Sequence, residues 1–300
     1  MRRAATLVQS DQGRDPELIV FDTGGTPSGA AAAARLALRR NAKLILGPLF
    51  AAEVRSVLEG VGARVPVLSF SNDSSLRESG AFLMGITPAQ LTVAILQYAR
   101  SRGIRRVALF AGSDGWGMQT AAAAQALRNE LGIDIVVLAD APPSAGALRQ
   151  AAGGELPDAL LLSGAGTPFA AVAQALKGSG VQLLGTFRAI DHAPSALAAI
   201  EGAWFASPDP GAFAEFARNY EARHGGTPGA IAALAHDGAV IAKALRETDQ
   251  LDREGLLAAR SFAGVTGTLR FRSDGSCTRE VAILAAGANG YSIVGKSAAA

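Results

Sequence analysis

Residues 41–79 constrain the fold more than any other stretch of the chain. Two short apolar runs, Lys43–Leu46 and Pro66–Phe70, have the pattern of buried strands, and Ala51–Glu59 between them has the pattern of an amphipathic helix. Each run ends in small or polar residues. Since ligands of open α/β sheets bind outside the carboxyl ends of the strands, this stretch predicts a parallel sheet with a binding crevice at that edge.

The same alternation of apolar runs and helical patterns continues along the chain. Further strands are predicted at Leu18–Asp22, Ala81–Gly85, Arg106–Ala111, Asp134–Leu138, Ala159–Ser163, Gln182–Thr186 and Ala203–Ala206. Further helices are predicted at Ser28–Arg40, Pro88–Arg102, Trp116–Glu130, Ala145–Gly153, Pro168–Lys177, Pro210–His224 and Gly229–Arg246. Continuous apolar strands that alternate with helices indicate parallel sheets covered on both faces. So many strands exceed one doubly wound unit, and a split falls near Thr87-Pro88, where a fresh series begins.

The end of the chain has a different pattern. Three strand candidates, Val265–Phe271, Glu280–Ala285 and Tyr291–Val294, lie close together and are separated by the turn signals SDGS and GANG. Such spacing is typical of antiparallel hairpins. We therefore expect hairpin-like strands that follow the completed α/β part.

Composition excludes several classes of partner. Of the 300 residues 49% are hydrophobic and 18% charged, as in a soluble globular protein, and the net charge of +2 comes from interleaved acidic and basic residues. Without a basic patch, neither nucleic acid nor an acidic membrane surface is an expected partner. The sequence contains no 18-residue apolar segment, so direct membrane insertion of this chain is not expected. The first residues also lack the apolar segment of a signal peptide, which taken literally indicates the cytoplasm.

No pattern of catalytic or metal-binding residues stands out. Cys277 is the single cysteine, so neither an intrachain disulfide nor a cysteine metal cluster is expected. Its surroundings, DGSCTRE, predict a turn that leads into a strand. The three histidines are scattered without metal-ligand spacing. A nucleophile elbow, a phosphate loop and a dinucleotide fingerprint are missing. We predict that the protein is not an enzyme, with no catalytic residue, cofactor or metal site.

Several stretches, in the expected order and over almost the whole chain, resemble the type I periplasmic-binding fold, in particular the branched-chain amino-acid (Leu/Ile/Val) receptor family. They are LGPLFAAEV, PVLSFSNDSS, GITPAQ, GIRRVALFAGSDGWGMQ, FAEFARNYEARHGGTPGAIAALAHDGAVIAKAL and FAGVTGTLRFRSDGS. The last, a Phe-x-Gly-x-x-Gly-x-x-x-Phe pattern that ends in Asp-Gly, is the most specific to the family. The stretches GPLFAAEV and DTGGTPSGA are most similar to the penicillin-binding-protein activator (lipoprotein) branch.

The resemblance implies a two-lobed α/β protein in which each lobe is a parallel sheet with helices on both faces. Lobe 1 is expected to span residues 1–87 and 207–264 and lobe 2 residues 88–206 and 265–300, with hinge crossovers near Thr87, Ser207 and Gly264. In the family a strand and a helix precede Leu18–Asp22, and Arg2–Ser10 resembles the tail of that helix. The first strand of lobe 1 is then missing from this chain. We expect it, and an export signal to the periplasm, to be encoded upstream.

Two clusters in lobe 1 are predicted to bind the ligand. They are Gly47, Pro48, Phe50 and Ala51 at the first strand-to-helix turn, and Ser69, Phe70, Ser71 and Asn72 at the end of the next strand. Backbone N–H groups at the start of a helix suit a carboxylate, and the polar side chains can bond an amide or a carboxylate. The alternatives are a plain turn for the first cluster and serines that cap the following turn for the second. Amino-acid receptors of the family carry a hydroxyl residue at the position of Ala51, so its absence weakens the amino-acid interpretation.

Lobe 2 is predicted to contribute Asp114, Trp116, Ser163, Thr186, Arg188 and Asp191. Trp116 lies where the family shows Tyr, and an aromatic ring at a cleft rim can cover a ligand. Alternatively, Asp114 caps the helix and Trp116 packs between the lobes. Arg188 suits an anion and Asp191 an ammonium group, which favours a zwitterion, whereas the alternative is a solvated loop. Asp237 is expected to be structural and to bond a neighbouring loop.

The resemblance implies an extracytoplasmic solute-binding protein that closes around an amino acid or a related zwitterion. Its partners would be this small molecule and the permease of an ABC-type transporter. A first alternative is a penicillin-binding-protein activator that docks on a peptidoglycan synthase. A second is a cytoplasmic ligand sensor of the same fold, in the case that the native chain begins at Met1.

Overall fold

The computed structural model describes residues 1–8, 17–138, 143–163, 169–190 and 192–297. The chain divides into two compact units. Of the described residues, unit 1 comprises Met1–Thr87 and Asp209–Glu280, and unit 2 comprises Pro88–Pro208 and residues 281–297.

Helices and strands alternate over most of the chain. The helices are α1 Arg2–Thr6, α2 Pro27–Arg39, α3 Ala51–Val61, α4 Pro88–Ser101, α5 Gly115–Leu131, α6 Ala145–Ala151, α7 Phe169–Ala175, α8 Pro194–Ala199, α9 Pro210–His224, α10 Ala230–Glu247 and α11 Arg253–Ala258. The strands are β1 Ile45–Leu46, β2 Val67–Ser69, β3 Phe82–Leu83, β4 Arg106–Phe110, β5 Asp134–Val137, β6 Ala159–Leu162, β7 Gln182–Thr186, β8 Trp204–Ser207, β9 Leu269–Phe271, β10 Cys277–Arg279, β11 Ala282–Gly287 and β12 Gly290–Lys296. Short 3₁₀ turns lie at Ser74–Leu76 and Phe187–Ala189.

Unit 1 contains a parallel sheet of order β1-β2-β3, in which Ile45 pairs with Val67 and Leu68 with Phe82. Small residues let α2 and α3 approach closely, because a Cβ added at Gly60 would lie 2.9 Å from the Cβ of Ala34. The buried residues of this layer are Ala30, Ala34, Val54, Val57, Val61, Val67 and Ala81. Parallel pairing places the carboxyl ends of β1 and β2 at one edge of the sheet.

Unit 2 contains a larger sheet of order β12-β11-β8-β7-β6-β4-β5. The strands from β4 to β8 are parallel, whereas β11 runs antiparallel to both β8 and β12. Its core includes Leu148, Leu160, Leu162, Phe169, Val172 and Phe205. Since β7, β6 and β4 are parallel neighbours, the loops that follow them emerge at the same edge.

The predicted strand Leu18–Asp22 is wrong. These residues are irregular, Val20 is 52% exposed, and no ladder pairing involves them within the described ranges. An apolar run becomes a strand only where a neighbouring strand satisfies its backbone groups.

The prediction of one long strand at Val265–Phe271 is also wrong, because only Leu269–Phe271 forms a strand and it pairs with the unpredicted β10. Phe271 packs edge-on against Phe82 at 5.3 Å between ring centroids, and Arg279 donates a hydrogen bond to the Met84 carbonyl. These contacts hold the β9–β10 hairpin in unit 1. The chain therefore enters unit 2 after Glu280, whereas the sequence placed this crossover near Gly264.

The short helices α8 and α11 were not predicted, because six residues are too few to display a helical period. In the part of the chain that the structure covers, no helix is both long and apolar enough to cross a bilayer.

Candidate functional site

In unit 1 the first predicted cluster forms the turn from β1 into α3. Phe50 is the N-cap residue of α3, makes no side-chain cap bond and is 56% exposed. Ala51 begins the helix, and Glu53 in its first turn is buried and accepts a hydrogen bond from the Thr23 hydroxyl at 2.8 Å. The turn thus presents an aromatic ring and the start of a helix at the carboxyl edge of the sheet.

The second cluster is joined to the first through the Pro48 carbonyl. This oxygen accepts hydrogen bonds from the Ser69 hydroxyl at 3.0 Å and from the Phe70 N–H at 2.9 Å. Ser69 is fully buried, and its oxygen also accepts from the Ser71 N–H at 3.1 Å. The structure therefore brings the two clusters together, and Ser69 and Phe70 hold the turn in place.

Ser71 and Asn72 have different surroundings. The Ser71 hydroxyl accepts a hydrogen bond from the Asp73 N–H at 3.2 Å, which fits the capping alternative. Asp73 in turn caps the 3₁₀ turn by accepting from the Ser75 N–H at 2.9 Å. Asn72 is exposed at the same edge, so its amide faces solvent.

In unit 2 the segments that follow β4 and β7 bring a second group together, which we call the Trp116–Arg188 pole: Asp114, Trp116, Phe187 and Arg188. The Arg188 guanidinium carbon lies 4.7 Å from the centroid of the Trp116 ring, the geometry of a cation–π contact. Phe187 meets the same indole edge-on, with ring centroids 6.1 Å apart. Because Trp116 follows β4 and Arg188 follows β7, the pole spans the carboxyl end of β6.

Helix capping fixes one side of the pole. Asp114 is the N-cap residue of α5 and accepts a hydrogen bond from the Gly117 N–H at 2.7 Å, as the capping alternative predicted. The buried Ser163 hydroxyl donates to Thr120 Oγ1 at 2.7 Å, and the Thr120 hydroxyl donates to the Trp116 carbonyl at 3.0 Å. Ser163 therefore positions the Trp116 turn through Thr120. Thr186 is buried at the end of β7, directly before Phe187.

The pole is rich in hydrogen-bond donors. The closest Arg188–Asp114 approach is 3.9 Å, between Nη1 and Oδ2, with side chains 33% and 39% exposed. The indole N–H of Trp116 is buried and meets no acceptor among the residues described. Asp191, predicted to take an ammonium group, lies outside those residues.

Sequence reasoning missed Phe187 and Thr120. Phe187 is an aromatic residue immediately after a predicted strand, so its place at the sheet edge was available from the same argument that found Arg188. Thr120 lies four residues after Trp116, one helical turn away, and only the structure shows that its hydroxyl connects Ser163 to Trp116.

Unit 1 also contains an open cavity of about 310 Å³, lined by Glu78, Gly80, Arg253, Ser273, Asp274 and Gly275. The Arg253 guanidinium donates to the Ser273 carbonyl at 2.9 Å and to the Gly80 carbonyl at 3.4 Å, and it lies over the Phe82 ring at 4.7 Å. Its donors are thus used to join β9–β10 to the segment before β3.

Across the described ranges, no three His, Cys, Asp or Glu side chains are grouped so that they could hold a metal ion.

Comparisons with known proteins give one family and one fold. The model of the family described as "Periplasmic binding protein" matches residues 4–290. A comparison with curated protein sequences found no match.

Three solved structures illustrate the likeness of fold. A candidate branched-chain amino acid ABC transporter from Rhodospirillum rubrum is 21% identical, with a TM-score of 0.83, and the match covers 98% of this chain and 94% of that one. An ABC transporter substrate-binding protein from Desulfitobacterium hafniense, in complex with Leu, is 19% identical, with a TM-score of 0.69 and coverages of 98% and 95%. An ABC transporter solute-binding protein from Rhodopseudomonas palustris BisB5, in complex with 3,4-dihydroxybenzoic acid, is 19% identical, with a TM-score of 0.65 and coverages of 99% and 92%.

Proposed function

We propose, from the premise that the chain belongs to the periplasmic binding protein family, that it binds a small organic solute and delivers it to an ABC-type transporter. The family match over residues 4–290 is the single observation that carries this proposal. The same match and the likeness to the three solved structures confirm the predicted type I periplasmic-binding fold.

The two clusters in unit 1 and the pole in unit 2 support a binding role. Each lies at the carboxyl ends of parallel strands, where α/β sheets bind ligands, and each exposes polar or aromatic groups there. Closure of the two lobes on the ligand, with hinges at the crossovers after Thr87, Pro208 and Glu280, is part of the proposal.

The predicted site residues divide into two roles. We infer that groups that are at least partly exposed contact the ligand, and these are Phe50, Ala51, Asn72, Trp116 and Arg188. Residues whose groups are already bonded or buried position them, and these are Gly47, Pro48, Ser69, Phe70, Ser71, Asp114, Ser163 and Thr186.

The proposal includes a permease as partner and a location outside the cytoplasmic membrane. The three structures named above are transport proteins by their descriptions. No observation favours the alternative of a penicillin-binding-protein activator that docks on a cell-wall synthase. Because those structures include one with Leu and one with an aromatic acid, the fold alone leaves the ligand class open.

Thermal denaturation of the purified chain against a panel of solutes tests the proposal. The panel contains the branched-chain and aromatic amino acids together with aliphatic and aromatic carboxylic acids. A true ligand at about a thousand times its Kd adds about 4 kcal/mol to the free energy of unfolding and raises the Tm by several degrees. The shift must saturate with one ligand per chain by titration calorimetry. If no member of the panel produces a saturable shift, the proposal is contradicted.

A matched pair of variants distinguishes site binding from nonspecific stabilisation. Trp116→Ala removes the ring of the pole, whereas Met118→Ala removes an apolar side chain of the same helix that is 62% exposed. We expect the ligand-induced shift to disappear in the first variant and to remain in the second.

A further inference from the structure

We propose that the Trp116–Arg188 pole selects a ligand that has a carboxylate and no ammonium group. This inference rests on the proposed function and specifies the ligand class of the same site.

Among the described residues, the charge of Arg188 is only weakly compensated. Its approach to Asp114 is 3.9 Å, beyond hydrogen-bond range, and both side chains are at least one-third exposed. Such an ion pair contributes little, because solvent screens it. Asp114 Oδ1 is moreover committed to the Gly117 N–H at 2.7 Å as the cap of α5. Within the described ranges the guanidinium forms no hydrogen bond, so its donors are available to an incoming anion.

The stacking on Trp116 prepares Arg188 for a carboxylate. The contact at 4.7 Å over the indole face restrains the planar guanidinium, so less side-chain entropy is lost when it binds. A guanidinium binds a carboxylate through two parallel N–H···O bonds, which are among the stronger hydrogen bonds in proteins. The Phe187 ring packs edge-on against the Trp116 indole, with ring centroids 6.1 Å apart, and so supports the ring on which Arg188 stacks.

The buried Trp116 N–H is the second observation that points to an acceptor on the ligand. It meets no partner among the described residues, and a buried donor without an acceptor is costly. A ligand oxygen that reaches it would remove that cost. Donors are thus the groups that the pole offers, and a ligand ammonium, which is itself a donor and a cation, would be repelled by Arg188.

The test compares pairs of ligands that differ only in the ammonium group. The affinities of the full chain for leucine and 4-methylpentanoate, and for phenylalanine and 3-phenylpropanoate, are measured by titration calorimetry. We expect the carboxylate without the ammonium to bind at least tenfold more tightly in the pair that fits the site. Tighter binding of the amino acid overturns this inference and leaves the proposed function standing. No binding by any of the four, or by the wider panel, contradicts both.

Variants then locate the effect. Arg188→Gln should weaken carboxylate binding about 10- to 100-fold, the loss expected for a charge-assisted hydrogen bond, and Arg188→Lys should restore it only in part. Trp116→Phe, which keeps a ring but removes the N–H, should weaken it about 2- to 10-fold. Arg149→Gln removes a charge from an exposed residue of unit 2 and should leave the affinity unchanged. Unchanged affinity in Arg188→Gln, with the Tm preserved, contradicts the inference.

Asp191 is tested in the same assay. Asp191→Asn should alter the affinity for the carboxylate by less than threefold, since in this account no ligand ammonium requires an acid. A large loss of leucine affinity in this variant, with leucine the tighter ligand of the wild type, would overturn the inference.

Discussion

Asp237 and Thr266 are joined by two hydrogen bonds to a single oxygen. Oδ2 of the fully buried Asp237 accepts from the Thr266 N–H at 2.9 Å and from its hydroxyl at 2.5 Å, while Oδ1 accepts from the Val265 N–H at 2.7 Å. The expected structural role of Asp237 is thereby confirmed. The side chain of Arg279 also donates to Thr266 and to the Met84 carbonyl, so one polar network fixes the segment before β9 to α10 and to the end of β3.

Removal of Asp237 should be strongly destabilising. Asp237→Ala leaves two backbone N–H groups and the buried Arg279 without their anion, and breaking a buried charged network costs about 3–5 kcal/mol. Thr266→Val should cost about 1–3 kcal/mol, because it removes one buried hydroxyl. The free energy of unfolding is measured in urea. Thr248→Val serves as the control, because the Thr248 hydroxyl at the end of α10 bonds to the Leu245 and Ala244 carbonyls of its own last turn. We expect it to change the free energy of unfolding by less than about 0.5 kcal/mol.

Two glycines that flank Trp116 should respond oppositely to alanine. A Cβ at Gly117 would lie 2.0 Å from the Ala111 carbonyl oxygen, so the turn from β4 into α5 would have to move. Gly117→Ala should therefore cost about 1–3 kcal/mol and weaken ligand binding as Trp116 shifts. At Gly115 nothing lies within 4 Å, so Gly115→Ala should be neutral or stabilise by up to about 1 kcal/mol. Similar Tm values for the two variants would contradict this account of the turn.

The Ser163–Thr120 hydrogen bond should appear as a coupling between the two residues. Ser163→Ala and Thr120→Val each remove one end of the 2.7 Å bond, at a cost of about 1–2 kcal/mol. In the double variant the losses should fall short of additivity by about 1 kcal/mol, since the shared bond is lost only once. The cycle is measured by urea denaturation, and strict additivity would show that the bond is not made in solution.

Asp274 gives a prediction for acid stability. Burial acts to raise the pKa of this carboxyl, but the hydroxyl and backbone N–H of Ser276 and the charges of Arg77 and Arg272 outweigh it and hold the pKa below 3.8. A depressed folded-state pKa contributes stability that is present above the unfolded value and is lost as the pH falls through the folded value. Asp274→Asn should therefore lower the free energy of unfolding near neutral pH. It should also reduce the further loss of stability as the pH falls below 3.8.

The Asp274 titration can be followed directly by NMR of its side-chain carboxyl carbon. We expect a midpoint below 3.8 in the wild type and a higher midpoint in Ser276→Ala, which removes the hydroxyl donor. A wild-type midpoint above 3.8 would contradict the assignment of these bonds.

The sequence predicted those elements whose signals are local. β7 and α9 were predicted at the observed residues, Gln182–Thr186 and Pro210–His224, because an apolar run between polar residues marks one and an Asp209–Pro210 start marks the other. The strand predicted at Leu18–Asp22 did not form because a strand needs a pairing partner. Residues 265–268 did not form a strand because the Asp237 carboxylate, 28 residues away from Val265, accepts the N–H groups of Val265 and Thr266.

The candidate site was predictable in its parts but not in its geometry. Position after a strand identified Asp114, Trp116 and Arg188 separately, since loops at the carboxyl edge of a parallel sheet converge. The stacking of Arg188 on Trp116 depends on side-chain conformations set by tertiary packing, which no spacing in the sequence encodes. For the same reason sequence reasoning paired Arg188 with a zwitterion, whereas the contacts of the pole favour an anion.

The chain contains two tryptophans, and this makes one measurement decisive. Trp204 packs against Tyr98 at 5.0 Å, so Trp204→Phe leaves Trp116 as the sole tryptophan reporter of the pole. The account predicts that the fluorescence of this variant changes saturably with the stabilising carboxylate, at the Kd found by calorimetry, and that Trp116→Phe shows no such change. A saturable binding signal in calorimetry, without any change in Trp116 fluorescence, would contradict the claim that the pole binds the solute.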